Sequence, residues 1–189
     1  MRTFLIVLGV IAAFLFICFI SFTGIYNGLV GENQEVLSKW AQVENQLQRR
    51  NDLIPNFVET VKGYATHEKT LFVDLAKART SWSGAGSQSG KIKAAGEIGG
   101  LLSRLMMVVE NYPVLQASTN FRALQDELAG TENRIAVERK RYNDSVQNYN
   151  VKAKSFPTII FVRMFGFDSE KIFFKSDEAA KIAPKVKFN

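Results

Sequence analysis

His67-Glu68 is the pair on which a zinc-hydrolase helix would open, the imidazole serving as metal ligand and the carboxylate as general base. That chemistry needs a second histidine one turn later, and the 189-residue sequence holds one histidine in all. His67 therefore reads as an ordinary helix residue. Carboxylates also stand side by side at Asp126-Glu127 and Asp177-Glu178. Adjacent residues on a helix point apart, so neither pair makes a general acid and base, and both read as solvated charge. The glycine- and serine-rich run at 83–90 lacks the lysine and the preceding strand of a phosphate cradle. It reads as a turn between antiparallel helices. No catalytic set, cofactor or metal is expected.

Arg49-Arg50 follows an apolar segment, and a basic pair in that position can grip anionic lipid. Distance argues against it here. A helix continuing from Gly24 at 1.5 Å per residue carries the pair about 40 Å beyond a bilayer, whereas screening confines exposed charges to about 8–10 Å. The pair is therefore assigned to the helical body or to a partner.

The elements that would position these residues are helices. Val36, Trp40, Val43, Leu47, Ile54, Phe57, Val61 and Tyr64 repeat at three- and four-residue steps on one face, with Arg50 taking one position of the stripe. Pro55 deletes a backbone bond to Asn51 and predicts a kink or break, after which the pattern resumes through Leu71, Leu75, Ala78 and Trp82; Gly63 is a second weak point. A second helix is expected over 91–111, facing inward with Ile98, Leu101, Leu105 and Val108. Gly96, Gly99 and Gly100 imply either a late start or the close approach of another backbone. A third runs from a cap at Ser118 to about Lys154, its apolar side made by Phe121, Leu124, Leu128, Ile135, Tyr142, Val146 and Tyr149. Glu132, Asn133 and Arg134 interrupt that side at a depth comparable with Arg49, Arg50 and Asp52, which predicts a buried polar layer.

Residues 4–22 form 19 consecutive positions without a charge, 14 of them Leu, Ile, Val or Phe. About 20 apolar residues cross a bilayer core, so the run reads as a retained membrane span. Its exit, Ser21-Phe22-Thr23-Gly24-Ile25, lacks the small-residue pattern of a cleavage site. Cys18, the one cysteine, lies inside the run and has no disulfide partner in the chain. The net charge of +6 comes from lysines and arginines interleaved with acids, the pattern of a solvated face rather than of a nucleic-acid surface.

After Pro157, residues 158–167 are strongly apolar but too short to span, and Phe173, Phe174 and Phe188 follow. These side chains need a cover: the bundle end, a second subunit, or lipid. Protein contact is the preferred reading, so Tyr26, Trp40, Phe161, Phe165, Phe167, Phe173, Phe174 and Phe188 are the candidate interaction residues. Arg49, Arg50, Asp52, Glu132 and Arg134 are the candidate polar layer.

Specific stretches resemble the LemA family. They are Tyr26-Asn27-Gly28-Leu29-Val30, Trp40, the run from Gln46 through Asn51-Asp52-Leu53-Ile54-Pro55-Asn56, Val61-Lys62-Gly63-Tyr64-Ala65 and His67-Glu68. The likeness continues through Asn111-Tyr112-Pro113, Asn120-Phe121, Leu124-Gln125, Thr131-Glu132-Asn133-Arg134-Ile135-Ala136, Tyr142-Asn143, Phe156-Pro157, Gly166-Phe167, Pro184, Val186 and Phe188. Ala41 stands where the family often has a hydroxyl, and Gln48 and Gln116 where it often has lysine. The resemblance implies a membrane-anchored helical protein, frequently a neighbour of membrane metalloproteases.

The expected architecture is all-α: a transmembrane anchor at 1–24, an elongated antiparallel bundle of three to four helices over 25–155, and an apolar tail at 156–189. The expected role is a non-enzymatic, self-assembling scaffold of the cell envelope, in contact with membrane lipid and with copies of itself. The alternative is an accessory or adaptor for a membrane protease or envelope sensor, with a membrane metalloprotease or other envelope protein as the partner. Arg2 before the span places the amino terminus in the cytoplasm, the chain in the cytoplasmic (inner) membrane, and the soluble body in the periplasm or outside the cell.

The orientation is checked with a cysteine introduced into 83–90. An impermeant thiol reagent labels it in intact cells or spheroplasts; labelling only after lysis reverses the topology.

Overall fold

The computed structural model describes residues 1–65 and 67–175. Six helices follow one another: α1 (Arg2–Lys62), α2 (Lys69–Gly84), α3 (Gln88–Val109), α4 (Pro113–Ala117), α5 (Thr119–Lys154) and α6 (Thr158–Phe165), with no strand among the described residues. The all-α expectation holds. The chain divides into two compact units, one of residues 1–41 with 141–173 and the other of 42–140 with Phe174 and Lys175, so α1 and α5 each contribute a segment to both.

In the first unit, every side chain from Met1 to Ser21 is exposed, Cys18 included. The helix begins to bury its face at Leu29 and Val36, and α5 answers with Tyr142, Val146, Tyr149 and Ala153, none more than 2% exposed. Each large side chain so buried contributes roughly 1.5–3 kcal/mol. The two helices run antiparallel. Trp40 meets Tyr142 edge to face with centroids 5.7 Å apart, and Lys152 donates from Nζ to the Gly28 carbonyl at 2.8 Å. A Cβ on residue 28 would stand 2.8 Å from that ammonium, so glycine is what admits the lysine.

α6 ends at Gly166, whose φ of +69° is the left-handed cap conformation that favours glycine. Beyond it the chain lies back along α5 without regular structure, held by side-chain to backbone bonds. Tyr149 donates to the Asp168 carbonyl and Tyr142 to the Ile172 carbonyl, each at 2.7 Å. Asn150 does both jobs: its amide donates to the Lys171 carbonyl at 3.0 Å and its oxygen accepts from the Lys171 N–H at 2.7 Å. A strap without helix or sheet partners needs such substitutes, because its backbone groups would otherwise be unpaired against protein.

In the second unit, segments of α1 and α5 pack with the α2–α3 hairpin. The core includes Val43, Leu47, Ile54, Phe57 and Val61 from α1, Leu71, Phe72, Leu75, Ala78 and Trp82 from α2, Ile98, Leu102, Leu105 and Val109 from α3, and Phe121, Leu128 and Ile135 from α5. Phe57 meets Phe121 at 5.3 Å. Three residues, 85–87, join α2 to α3, and Ser87 caps α3 by accepting the Gly90 N–H at 3.1 Å.

Four local expectations are corrected. Pro55 does not break α1, which continues to Lys62 because buried Ile54 and Phe57 hold it on both sides of the one missing bond. The interruption falls at Gly63 instead, so Leu71 to Trp82 belong to a separate helix. α3 starts at Gln88, ahead of its glycines, and the nearest group to a Cβ on Gly99 is the Arg50 guanidinium at 3.9 Å rather than a backbone. Its inward face is Ile98, Leu102, Leu105 and Val109, with Leu101 and Val108 only flanking it, because Ala94 and Ala95 set the stripe. α5 starts at Thr119 with Ser118 ahead of it, as anticipated.

Replacing Asn150 by alanine leaves both Lys171 backbone groups unpaired. The expected cost is about 1–3 kcal/mol of stability, with faster limited proteolysis within 166–175; unaltered cleavage there would show that the strap is held by other contacts.

Candidate functional site

Two clusters and one groove stand out among the described residues. The first cluster lies in the second unit, where α1 and α5 run antiparallel. Arg49 donates from Nε to Glu127 Oε1 at 3.0 Å and forms a second close ion pair through Nη2. Arg134 stands 3.7 Å from the same carboxylate oxygen. Arg49, first by its hydrogen bond and then by its charge, holds the Glu127 carboxyl below the usual carboxylate range; burial opposes this and Arg134 adds to it. A depressed carboxylate stabilises the fold above its unfolded value, and that contribution is lost as pH falls through the folded one.

Arg50 is the buried member, 4% exposed. Its Nη2 donates to the Ala95 carbonyl at 2.8 Å and its Nη1 to Glu132 Oε1 at 3.1 Å, while Nε has no protein partner among the described residues. One guanidinium thus ties α1 to both α3 and α5. Glu132 is 41% exposed, so the pair opens to water on the carboxylate side. Thr131 is fully buried and donates back to the Glu127 carbonyl at 2.8 Å. Lys91 of α3 pairs with Glu44 of α1 and lies 5.6 Å over the Trp82 ring.

The five residues of the expected polar layer are therefore placed unequally. Arg50 is buried between helices, Arg49, Glu132 and Arg134 stand at the surface of the same seam, and exposed Asp52 accepts from Gln48 on its own helix, at 2.8 Å. Lys91 and Glu44 were not singled out by the sequence, because exposed-looking charges at ordinary helical spacing carry no mark of which helix they will face. The Arg50 position was legible as a charge on an apolar stripe.

The second cluster lies in the first unit. Phe22 meets Phe161 at 4.9 Å and Phe165 at 5.8 Å, and Tyr26 meets Phe165 at 5.1 Å and Phe167 at 6.0 Å. These five aromatics and Trp40 are engaged within the chain, though Phe165 stays 44% exposed. Phe173 is half-buried. Phe174, in the second unit, is 7% exposed beneath the Arg139 guanidinium. Phe188 and Asp177-Glu178 lie outside the described residues. In the first unit, too, burial and then the nearby Asp168 charge push the Tyr149 phenol above its ordinary value, so it stays a neutral donor to the strap.

The groove, about 660 Å³ and open to solvent, runs between the end of α1 and α2 in the second unit. Ile54, Pro55, Val58, Phe72, Val73 and Ala76 supply its apolar lining. Lys69 and Arg79, also on its walls, form no ion pair among the described residues. No group of three or more His, Cys, Asp or Glu side chains among the described residues is arranged to hold a metal ion.

A family model described as the LemA family matches residues 39–188. Among curated proteins the chain is similar to Magnetosome protein MamQ 2 and Magnetosome protein MamQ 1 of Paramagnetospirillum magneticum, each 28% identical over 174 residues, covering 78% of this chain and 64% of theirs. Magnetosome protein MamQ of Magnetospirillum gryphiswaldense is 26% identical, with the same coverage. The chain thus spans 64% of the length of the curated relatives it matches.

Removal of the two partners of the half-buried pair should differ in effect. Arg50→Ala empties a buried site and breaks two interhelix ties, an expected loss of about 2–4 kcal/mol. Glu132→Ala leaves Arg50 its Ala95 carbonyl and access to water, an expected loss of about 1–2 kcal/mol. Chemical denaturation measures both; an equal or reversed order would move the weight of the layer to the carboxylate.

Proposed function

The chain belongs to the LemA family, and from that premise we propose that it is a single-pass membrane protein whose helices act as a self-assembling scaffold of the cell envelope rather than as an enzyme. The observation that carries this reading is the form of α1. Its exposed apolar stretch of 19 uncharged residues, about 28 Å long at 1.5 Å per residue, continues without interruption into the buried face at Leu29 and Val36. Among the described residues, α1 is the helix long and apolar enough to cross a membrane. An unbroken helix ties the bilayer directly to the packed unit, as a positioning device requires. The matched relatives are named for the magnetosome and not for a reaction, which supports a structural role. The amino terminus sits in the cytoplasm and the packed helices outside the cytoplasmic membrane, following the Arg2 argument.

Self-assembly follows from confinement. Anchored subunits share a plane and an orientation, which raises their effective concentration and favours closed cyclic arrangements. Since Tyr26 and Trp40 are engaged within the first unit, the apolar surface left on that part of α1 is Leu37, 49% exposed, with Ala41 one turn on.

The groove of the second unit favours a second reading, an adaptor that holds a membrane protease or another envelope protein. Beside the Glu59–Lys62 pair, its apolar lining carries Lys69 and Arg79, two cations without an ion pair among the described residues, which suits an amphipathic helix bearing acidic residues.

Light scattering after gel filtration in mild detergent separates the readings. The scaffold reading expects a homo-oligomer at micromolar concentration that Leu37→Glu shifts toward monomer; a monomeric parent protein would sink it. Stoichiometric recovery of a protease that Val73→Glu abolishes, without change in self-association, would select the adaptor.

A further inference from the structure

α6 has a lopsided surface for a helix on a packed unit. It buries Thr158 and Val162 and half-buries Ile159 and Phe161, yet Ile160 is 51% and Met164 58% exposed. Residues 160 and 164 are one helical repeat apart, so their apolar side chains form one line. Phe156, in the turn just ahead of the helix, is 82% exposed as well. A surface facing water would place polar residues there. The one charge on α6 is Arg163 in its last turn, exposed and without an ion pair among the described residues.

The location of this stripe within its unit says what covers it. Phe22 closes the strongly apolar stretch at 4–22 of α1, and its ring touches Phe161 and Phe165 of α6. The run is about 28 Å long and a bilayer core about 30 Å thick, so Phe22 stands where hydrocarbon gives way to headgroups. α6 is fastened at that same depth. Phe19, 65% exposed, and Ile20, 53% exposed, belong to the lipid-facing surface of α1 just before Phe22. The apolar surface of α6 thus borders one that is already committed to lipid, and aromatics such as Tyr26 at this level are the expected interfacial belt.

We propose that α6 is seated in the lipid interface, with Phe156, Ile160 and Met164 in the boundary between acyl chains and headgroups and Arg163 extended toward lipid phosphates. This rests on the reading of α1 as a span. Lipid contact then fixes the end of the α1–α5 pair at the membrane surface at a second point beside the span, limiting rotation of the anchor. The covering surface is lipid and not a second copy of the chain, because its neighbour along the unit is the span itself.

The test uses the full chain carrying Cys18→Ser in nanodiscs of phosphatidylcholine and phosphatidylglycerol. Single cysteines Phe14→Cys, Ile160→Cys, Met164→Cys and Val137→Cys, all at exposed positions, carry an environment-sensitive fluorophore and are read against nitroxide lipids and aqueous iodide. Expected are loss of emission at 14 with deep nitroxides, at 160 and 164 with shallow nitroxides, and at 137 with iodide alone. Quenching at 160 and 164 by iodide but not by lipid places α6 in water and overturns the proposal while the span stands. Protection of both from either quencher assigns the face to a second copy and also overturns it. Failure of nitroxides to reach position 14 removes the span, and the proposal with it.

Discussion

On the reading of α1 as a membrane span, its one backbone has to satisfy two solvents. In hydrocarbon the peptide groups have no water to turn to, so they must bond within the segment, and a helix is the local solution. The same helix, carried past Phe22, has to bury one stripe against protein. Both demands are met by one continuous helix, its ladder short of the bond Pro55 cannot donate, in which the radial distribution of apolar side chains changes: all around before Ser21, one face from Leu29 onward. The persistence of this helix through Pro55 shows the relative sizes of the effects. The lost bond and the ring's clash with the carbonyl one turn back together cost about 3 kcal/mol, which the burial of Ile54 and Phe57, about 1.5–3 kcal/mol each, offsets.

Polar groups then select which apolar packing is adopted. Apolar stripes at three- and four-residue spacing interlock in many registers with similar energy, whereas a buried guanidinium is tolerated where acceptors stand at the right places. Arg50 finds them in the Ala95 carbonyl and Glu132, which fixes α3 and α5 against the same turn of α1. In the first unit the corresponding restriction comes from Lys152, whose ammonium fits where residue 28 has no Cβ. Such ties add modest net stability and much discrimination, because a shifted register strands a charge.

The strap after Gly166 follows the same logic in the absence of regular structure. Tyr142, Tyr149 and Asn150 lie on the buried side of α5 and turn their polar ends toward backbone that has no ladder of its own. Aromatic bodies fill the core while the hydroxyls do the bonding, a division that explains how so polar a set belongs to the interior.

Helix type, the apolar run at 4–22, the stripe from Val36 to Val61 and the charge embedded in it at Arg50 were all determined by the sequence, because they follow from spacing along a single helix, where neighbours are fixed by 3.6 residues per turn. The LemA resemblance was legible for a similar reason, resting on residues at set positions along the chain. What tertiary structure alone decided was everything that depends on which helix faces which: the choice of Gly63 over Pro55 as the point of interruption, the one-residue rotation of the α3 face to Leu102 and Val109, the Lys91–Glu44 pair, and the capture of Phe174 by Arg139. Asp52 and Arg50 are two positions apart and equally charged to a reader of the chain. One is solvated and the other buried because two residues turn a helix by about 200°, and only the presence of α3 and α5 on one side makes that turn a difference between water and core.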